Sequence, residues 1–253
     1  PRTLTAVIPD EIRFLEELTL NALPALQTLF YDGWVMRFAG GYTRRANSVN
    51  SLYASQLPPE DKLAVCEAAY TRSGLPTTFK LTSTPEHNAL DLLLAARGYK
   101  HADGASVQVL DLVDMPQPPG NAALKTALDS EGRAAYVRLN QVAPQHQPVL
   151  AQMLRKIHPT FCQATVYDQD SIVALGLGVL EHGHLGIYDV VTDPAQRGHG
   201  FGRSLMQHLL RWGQMQGAHT AYLQVIASNT PAMRLYAGLG FRERYVYWYR
   251  SRR

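Results

Sequence analysis

The sequence predicts an α/β protein with a mixed, mostly antiparallel twisted sheet and flanking helices, an arrangement present twice in tandem. Three observations predict it. In the second half, strand-like hairpins precede an alternation of strand, helix, strand, helix and strand, which argues for a mixed sheet. A helix followed by glycine, an aromatic residue and a strand occurs twice, at Gly98-Tyr99 and at Gly240-Phe241. Between the copies lies Met115-Pro116-Gln117-Pro118-Pro119-Gly120-Asn121, which can continue neither a helix nor a central strand. It reads as a linker between a first domain, 1–115, and a second, 121–253.

The elements follow in order. Tyr31 to Phe38 reads as a strand and Arg44 to Tyr53 as another. Leu63, Cys66 and Tyr70 mark a helix beginning after Pro58-Pro59. Thr77 to Thr82 is a strand, His87 to Arg97 a helix, and Val107 to Leu112 a strand. In the second half, Phe161 to Tyr167 and Ser171 to Glu181 form a hairpin around Asp168-Gln169-Asp170, and Leu185 to Thr192 is a third strand. Leu205, Met206, Leu209, Leu210 and Gly213 share one helical face, with Gly217 just past that helix's C-cap. Tyr222 to Ile226 is a strand, Asn229 to Gly238 a short helix, and Tyr245 to Arg250 the last strand.

Composition narrows the class. Of 253 residues, 46% are hydrophobic and 18% charged, an ordinary globular balance rather than a disordered one. The two cysteines, Cys66 and Cys162, exclude a disulfide scaffold and a four-thiolate zinc site; both read as buried thiols. No 18-residue apolar run exists, and Pro1 to Asp10 lacks the pattern of a leader segment, so a soluble, cytoplasmic protein is expected. Residues 1–120 carry 10 Lys+Arg against 13 Asp+Glu, and residues 121–253 carry 14 against 8, so the second half favours an anionic ligand. No basic run points to nucleic acid, and no membrane partner is expected.

One loop carries chemistry. Arg197-Gly198-His199-Gly200-Phe201-Gly202 joins a strand to a helix. Its glycines let the backbone turn N–H groups toward a ligand, and the positive end of the following helix aims at the same place. Arg197 and Arg203 flank it, completing a pyrophosphate site. A Walker loop is excluded because Arg203 follows Gly202 where lysine is required. A dinucleotide fingerprint fails because Arg203 occupies the third glycine position. The remaining pattern is the coenzyme A loop, Arg/Gln-x-x-Gly-x-Gly/Ala, matched at Arg197, Gly200 and Gly202.

The stretch Asp189 to Gly202, with Leu223-Gln224-Val225, Ser228-Asn229, Ala232, Leu235-Tyr236 and Gly240-Phe241, resembles the GNAT superfamily of acyl-CoA N-acyltransferases. The match covers roughly 184–250. Where the loop would lie in the first half, Ser51 to Pro59 has no glycine and two prolines. That half resembles the degenerate first domain of tandem GNAT proteins.

The resemblance implies direct acyl transfer from acetyl-CoA, as cosubstrate, to a primary amine of a small molecule or peptide. It implies a cofactor clamp of Arg197, Gly198, His199, Gly200, Phe201, Gly202, Arg203 and Ser204, and a splayed strand whose Val190 and Val191 amides meet the pantetheine arm and the thioester carbonyl. Tyr236 becomes the candidate acid for the departing thiolate, unless its ring merely packs beneath the sheet. Asn229, which shares a helical face with Tyr236, is a candidate for the pantetheine arm as well as an N-cap. Asp189 is the candidate base, with a water chain as the alternative. Glu181, His182 and His184 form a polar turn with no convincing metal spacing, so no metal is expected. The polar run Gly41 to Ser48 is either an acceptor-pocket lining or an edge loop, and Trp34 and Arg37 read as packing and surface residues. An acyl-CoA sensor without turnover is the rival reading. An enzyme using charged transfer RNA is disfavoured by the lack of a basic face.

Overall fold

The computed structural model describes residues 9–253; residues 1–8, on which the expectation of no leader partly rests, lie outside the described residues. In chain order the elements begin with α1 (Asp10–Ala22), β1 (Gln27–Tyr31), β2 (Trp34–Phe38), β3 (Val49–Ser51), α2 (Pro59–Arg72), β4 (Thr77–Thr82), α3 (Pro85–Ala96) and β5 (Lys100–Asp111). They continue with β6 (Ala123–Lys125), α4 (Ser130–Leu139), α5 (Gln147–Arg155), β7 (Thr160–Asp168), β8 (Ser171–Glu181) and β9 (His184–Thr192). The last are α6 (Phe201–Met215), β10 (Thr220–Val225), α7 (Thr230–Ala237) and β11 (Arg242–Arg252). Among the described residues, no helix is long and apolar enough to cross a membrane.

The chain divides into two compact units. The first comprises the chain up to Ser106 with Pro148–Lys156 and Tyr245–Arg253; the second comprises Val107–Gln147 and Ile157–Arg244. Two segments beyond the Pro-rich linker, most of α5 and most of β11, thus belong to the first unit.

In the first unit the strand order is β1-β2-β3-β4-β11. Only β3 and β4 run parallel; β1/β2, β2/β3 and β4/β11 are antiparallel. Trp34, Leu63, Cys66, Tyr70, Phe79 and Leu94 build the core, with the Trp34 and Phe79 rings edge to face at 5.3 Å. Arg37 corrects the surface expectation. It is buried, and its guanidinium donates to the carbonyls of Arg45 (2.7 Å), Leu20 (3.0 Å) and Leu23, which makes the burial tolerable.

In the second unit the order is β5-β10-β9-β8-β7-β6, with β9/β10 parallel and β6/β7, β7/β8 and β8/β9 antiparallel. The sheet is mixed and mostly antiparallel, as expected. The α6 face of Leu205, Met206, Leu209 and Leu210 is fully buried. It packs on β8 where Gly176 and Gly178 leave room: a Cβ at either would lie 3.2–3.3 Å from leucine methyls of α6. Leu209→Ala empties this seam. It should cost about 2–5 kcal/mol in a urea unfolding measurement.

The linker has neither helix nor strand, and it is tied to α6. Arg211 donates to the Met115 carbonyl at 3.1 Å, and the Ser204 hydroxyl donates to that of Pro119 at 3.2 Å. Two strand expectations change. Tyr31 to Phe38 is a hairpin, broken at Asp32-Gly33, where both residues have positive φ (41° and 80°). Arg44 to Tyr53 opens with a 3-10 turn, Arg44–Ala46, and shortens to β3, because the Asn47 side chain bonds the backbone of Ala39, Gly41 and Thr43 in place of a ladder. Helices α1, α4 and α5 and strand β6 were not expected.

Candidate functional site

The loop after β9 is built for backbone donation. Asp193 accepts from the Ala195 N–H at 3.0 Å and so starts a 3-10 turn, Pro194–Gln196. Gly198 and Gly200 then both take φ of 85°, a conformation glycine adopts without strain. Open space surrounds both, and Gly200 is the N-cap of α6. The first N–H groups of a helix have no partner within it, and no side chain caps them here. The first turn of α6 holds no acidic residue, so the positive end of the helix dipole is not neutralised locally.

Beside this loop the sheet opens. Pairing of β9 with β10 runs from Thr220↔His184 to Leu223↔Ile187 and ends there, while both strands continue. On the other side of β9, the register with β8 shifts between Leu175 and Leu177, opposite Asp189 and Val190. Asp189 has φ of 51°, the left-handed region uncommon for a non-glycine residue. A cleft of about 560 Å³ lies along the unpaired end of β9, walled also by the loop, the start of α6 and α7, a size that suits a small-molecule site.

The structure places the expected residues as follows. Val190, Val191, Arg197, Gly198, Gly200, Phe201, Gly202, Arg203, Asn229 and Tyr236 all line the cleft. His199 and Ser204 are in the loop but not on the cleft wall. His199 Nδ1 lies 3.2 Å from the Gln196 carbonyl, and the Ser204 hydroxyl is used on Pro119. The Asn229 side chain caps α7, accepting from the Ala232 N–H at 3.3 Å. Tyr236 is 7% exposed, its ring 6.0 Å from that of Phe241, and burial pushes its phenol up to about 12. Asp189 is not on the cleft wall; its Oδ2 accepts from the Tyr136 hydroxyl of α4 at 2.5 Å. The sequence reading does not find Tyr136 or the cleft residue Asn140, whereas Thr192, Gln196 and Leu235 of the cleft wall lie within the quoted motifs without a role assigned to them. Only the helical period of α4 could have signalled the first.

Other candidates resolve simply. His182 lies 3.7 Å from Glu181 at the β8–β9 turn, and the His184 ring packs edge-on to His219. Among the described residues, no group of three His, Cys, Asp or Glu side chains is arranged to hold a metal ion. Cys66 and Cys162 are free and buried, and burial pushes both thiols up to about 12. Neither offers a thiolate at neutral pH. Alkylation of the native protein by iodoacetamide should therefore be slow, and intact-mass spectra should show full labelling only after denaturation.

In the first unit, the segment after β3 already holds an anion of its own. The Asp32 carboxylate accepts from the backbone N–H of Gln56 (2.9 Å) and Leu57 (2.8 Å) and from the Ser55 hydroxyl (2.6 Å). Lys62, buried over the Trp34 ring, lies 3.4 Å from the same carboxylate. These bonds, the Ser55 bond foremost, hold the Asp32 carboxyl well below the usual carboxylate range.

The chain resembles known proteins along nearly its whole length. The model of a family described as "Probable histone acetyltransferase Rv0428c C-terminal" matches residues 9–250. An uncharacterized N-acetyltransferase, YobR of Bacillus subtilis, is 26% identical over 248 residues, spanning 96% of this chain and all of that one. A mycothiol acetyltransferase of Catenulispora acidiphila is 29% identical over 171 residues, covering 60% of this chain and 54% of its own length. Among solved structures, a GCN5-related N-acetyltransferase from Kribbella flavida superposes with a TM-score of 0.69 at 13% identity, covering 95% of each chain. A tandem GNAT protein from the clavulanic acid biosynthesis pathway gives 0.57 at 15% identity, covering 97% of each.

Proposed function

We propose, because this chain belongs to the family described as "Probable histone acetyltransferase Rv0428c C-terminal", that it transfers an acetyl group from acetyl-CoA directly to a primary amine of a small molecule or peptide. The chain is an acyltransferase with a GNAT fold. The observation that carries the finer reading is the cleft where β9 and β10 part beside the glycine loop.

The residues fit a pyrophosphate and a thioester arm. Gly198 and Gly200 leave open space, the first-turn N–H groups of α6 are donors, and Arg197 and Arg203 add positive charge at the cleft wall. Acetyl-CoA supplies, when bound, an activated acetyl group. Backbone amides of Val190 and Val191 are assigned to the arm and to the thioester carbonyl. Asn229 holds the α7 N-terminus and offers its amide to the arm. The Tyr236 hydroxyl, too weak an acid to protonate a thiolate, donates a hydrogen bond to the departing sulfur. Because Asp189 lies off the cleft wall, its carboxylate fixed by the Tyr136 hydroxyl, the amine's proton is assigned to a water chain that leads to that carboxylate. With both thiols buried and protonated, attack by the amine on the thioester in one step is favoured over a cysteine-bound acetyl intermediate.

We read the first half, 1–115, as a degenerate copy of the second, 121–253. The order β3-α2-β4-α3 repeats β9-α6-β10-α7, and β3/β4 are parallel like β9/β10. The copy keeps no vacancy for phosphate, because Asp32 takes the Gln56 and Leu57 amides. Calorimetric titration of acetyl-CoA into the whole chain tests this. Saturation at one molecule per chain is expected. A second molecule of comparable affinity that persists in an Arg44→Gln, Lys100→Gln variant would contradict the reading of the first half, and no saturable binding would contradict the assignment of the cleft.

A further inference from the structure

A second cavity, of about 720 Å³, lies in the first unit and shares no residue with the cleft. Its wall carries Arg44, Lys100, His101, Arg252 and Arg253, and no Asp or Glu side chain lines it. Four of these side chains are arginine or lysine. One of the four is compensated, since Glu67 lies 3.3 Å from Arg252. Of the acids close in sequence to this wall, Asp91 is bound by Arg250 at 2.8 Å through both carboxylate oxygens, and Asp103, two residues after His101, does not line the cavity. Arg44 has an aromatic neighbour, the Tyr249 ring, with 5.8 Å to its centroid.

The wall is held in shape. Asn47, 7% exposed, accepts from the N–H of Ala39 (2.7 Å) and Gly41 (3.1 Å) and donates to the Thr43 carbonyl (2.8 Å). These bonds fix the turn that carries Arg44, and they account for the polar run Gly41 to Ser48 that the acyl-transfer chemistry leaves without a role. The hydroxyls of Thr78 and Ser251, cross-strand partners on β4 and β11, meet at 2.8 Å and give the cavity neutral polar groups.

We propose that this cavity binds a small molecule carrying a diphosphate. Its volume falls in the range of small-molecule sites. Arg44, Lys100 and Arg253 have no Asp or Glu side chain beside them on this wall, so a single carboxylate would leave most of the positive charge unmatched, whereas a diphosphate matches it. The guanidinium fork suits phosphate oxygens in pairs. The proposal does not depend on the reading of the cleft.

The test is calorimetric titration of inorganic pyrophosphate, at near-physiological salt so that surface charges are screened. It uses the whole chain carrying Gly200→Asp, which weakens the competing loop. Saturable binding is expected, and adding Arg44→Gln with Lys100→Gln should weaken it at least about tenfold. Absence of saturable binding, or a loss smaller than about threefold in the neutralised variant, overturns the proposal. Should that variant unfold, amide spectra of the Gly200→Asp chain decide. Pyrophosphate should shift the Gly41 and Gly98 resonances, and unmoved resonances overturn the proposal.

Discussion

Tyr236→Phe is expected to slow single-turnover acetyl transfer by about 10²–10³, the usual loss when one placed donor is removed from a developing anion. The ring and its packing against Phe241 survive the change, so the fold should hold. Acetyl-CoA KM should move little, because ground-state binding rests on the loop while this hydroxyl acts as charge grows on sulfur. Burial of the phenol adds a pH prediction. Burial favours the neutral form, and the phenol is pushed up to about 12. It therefore stays protonated through neutral and mildly alkaline pH. A thiol of ordinary pKa, about 8.5, does not need a proton from so weak an acid; it gains a hydrogen bond instead. The kcat–pH profile should thus show no Tyr236-dependent alkaline limb below about pH 11. Single-turnover chemistry within twofold of the parent would remove Tyr236 from the mechanism.

Gly200→Asp should weaken acetyl-CoA binding at least about tenfold, or about 1.4 kcal/mol. Two effects combine. A non-glycine residue is strained at φ of 85°, and the new carboxylate enters the open space before the first N–H groups of α6. Asp is a good N-cap, so the variant should keep its helix. Circular dichroism should show an unchanged fold while calorimetry shows the loss. Unchanged affinity in a folded variant would contradict the loop assignment.

The second unit was more legible in the sequence than the first, for physical reasons. Helix α6 announces itself by period because it has one buried face, which Leu205 to Leu210 spell out, while β7 to β9 are buried on both faces and read as apolar runs bounded by turns. The loop glycines were legible because positive φ is a demand few other residues meet. The bulge at Asp189 was not, since register depends on the partner strand and Gly176 carries no local sign of it. Nor was Tyr136, whose role arises only when α4 meets β9. In the first unit, the Asp32-Gly33 turn is hidden inside an apolar run, and the burial of Arg37 depends on carbonyls of three other residues that its own sequence neighbourhood does not reveal. The exchange of Tyr245–Arg253 into the first unit is long-range pairing with no local signature.

The central claim is that this cleft turns over acetyl-CoA against an amine. Its most direct measurement is coenzyme A thiol release by the whole chain across amine classes: polyamines, aminoglycosides, amino acids, peptide N-termini and lysine peptides. At least one class should raise thiol release well above the amine-free rate, saturably, and Tyr236→Phe should abolish most of that increment. Saturable acetyl-CoA binding with no amine-dependent release in any class would contradict it, and would leave a protein that binds the acyl donor without using it.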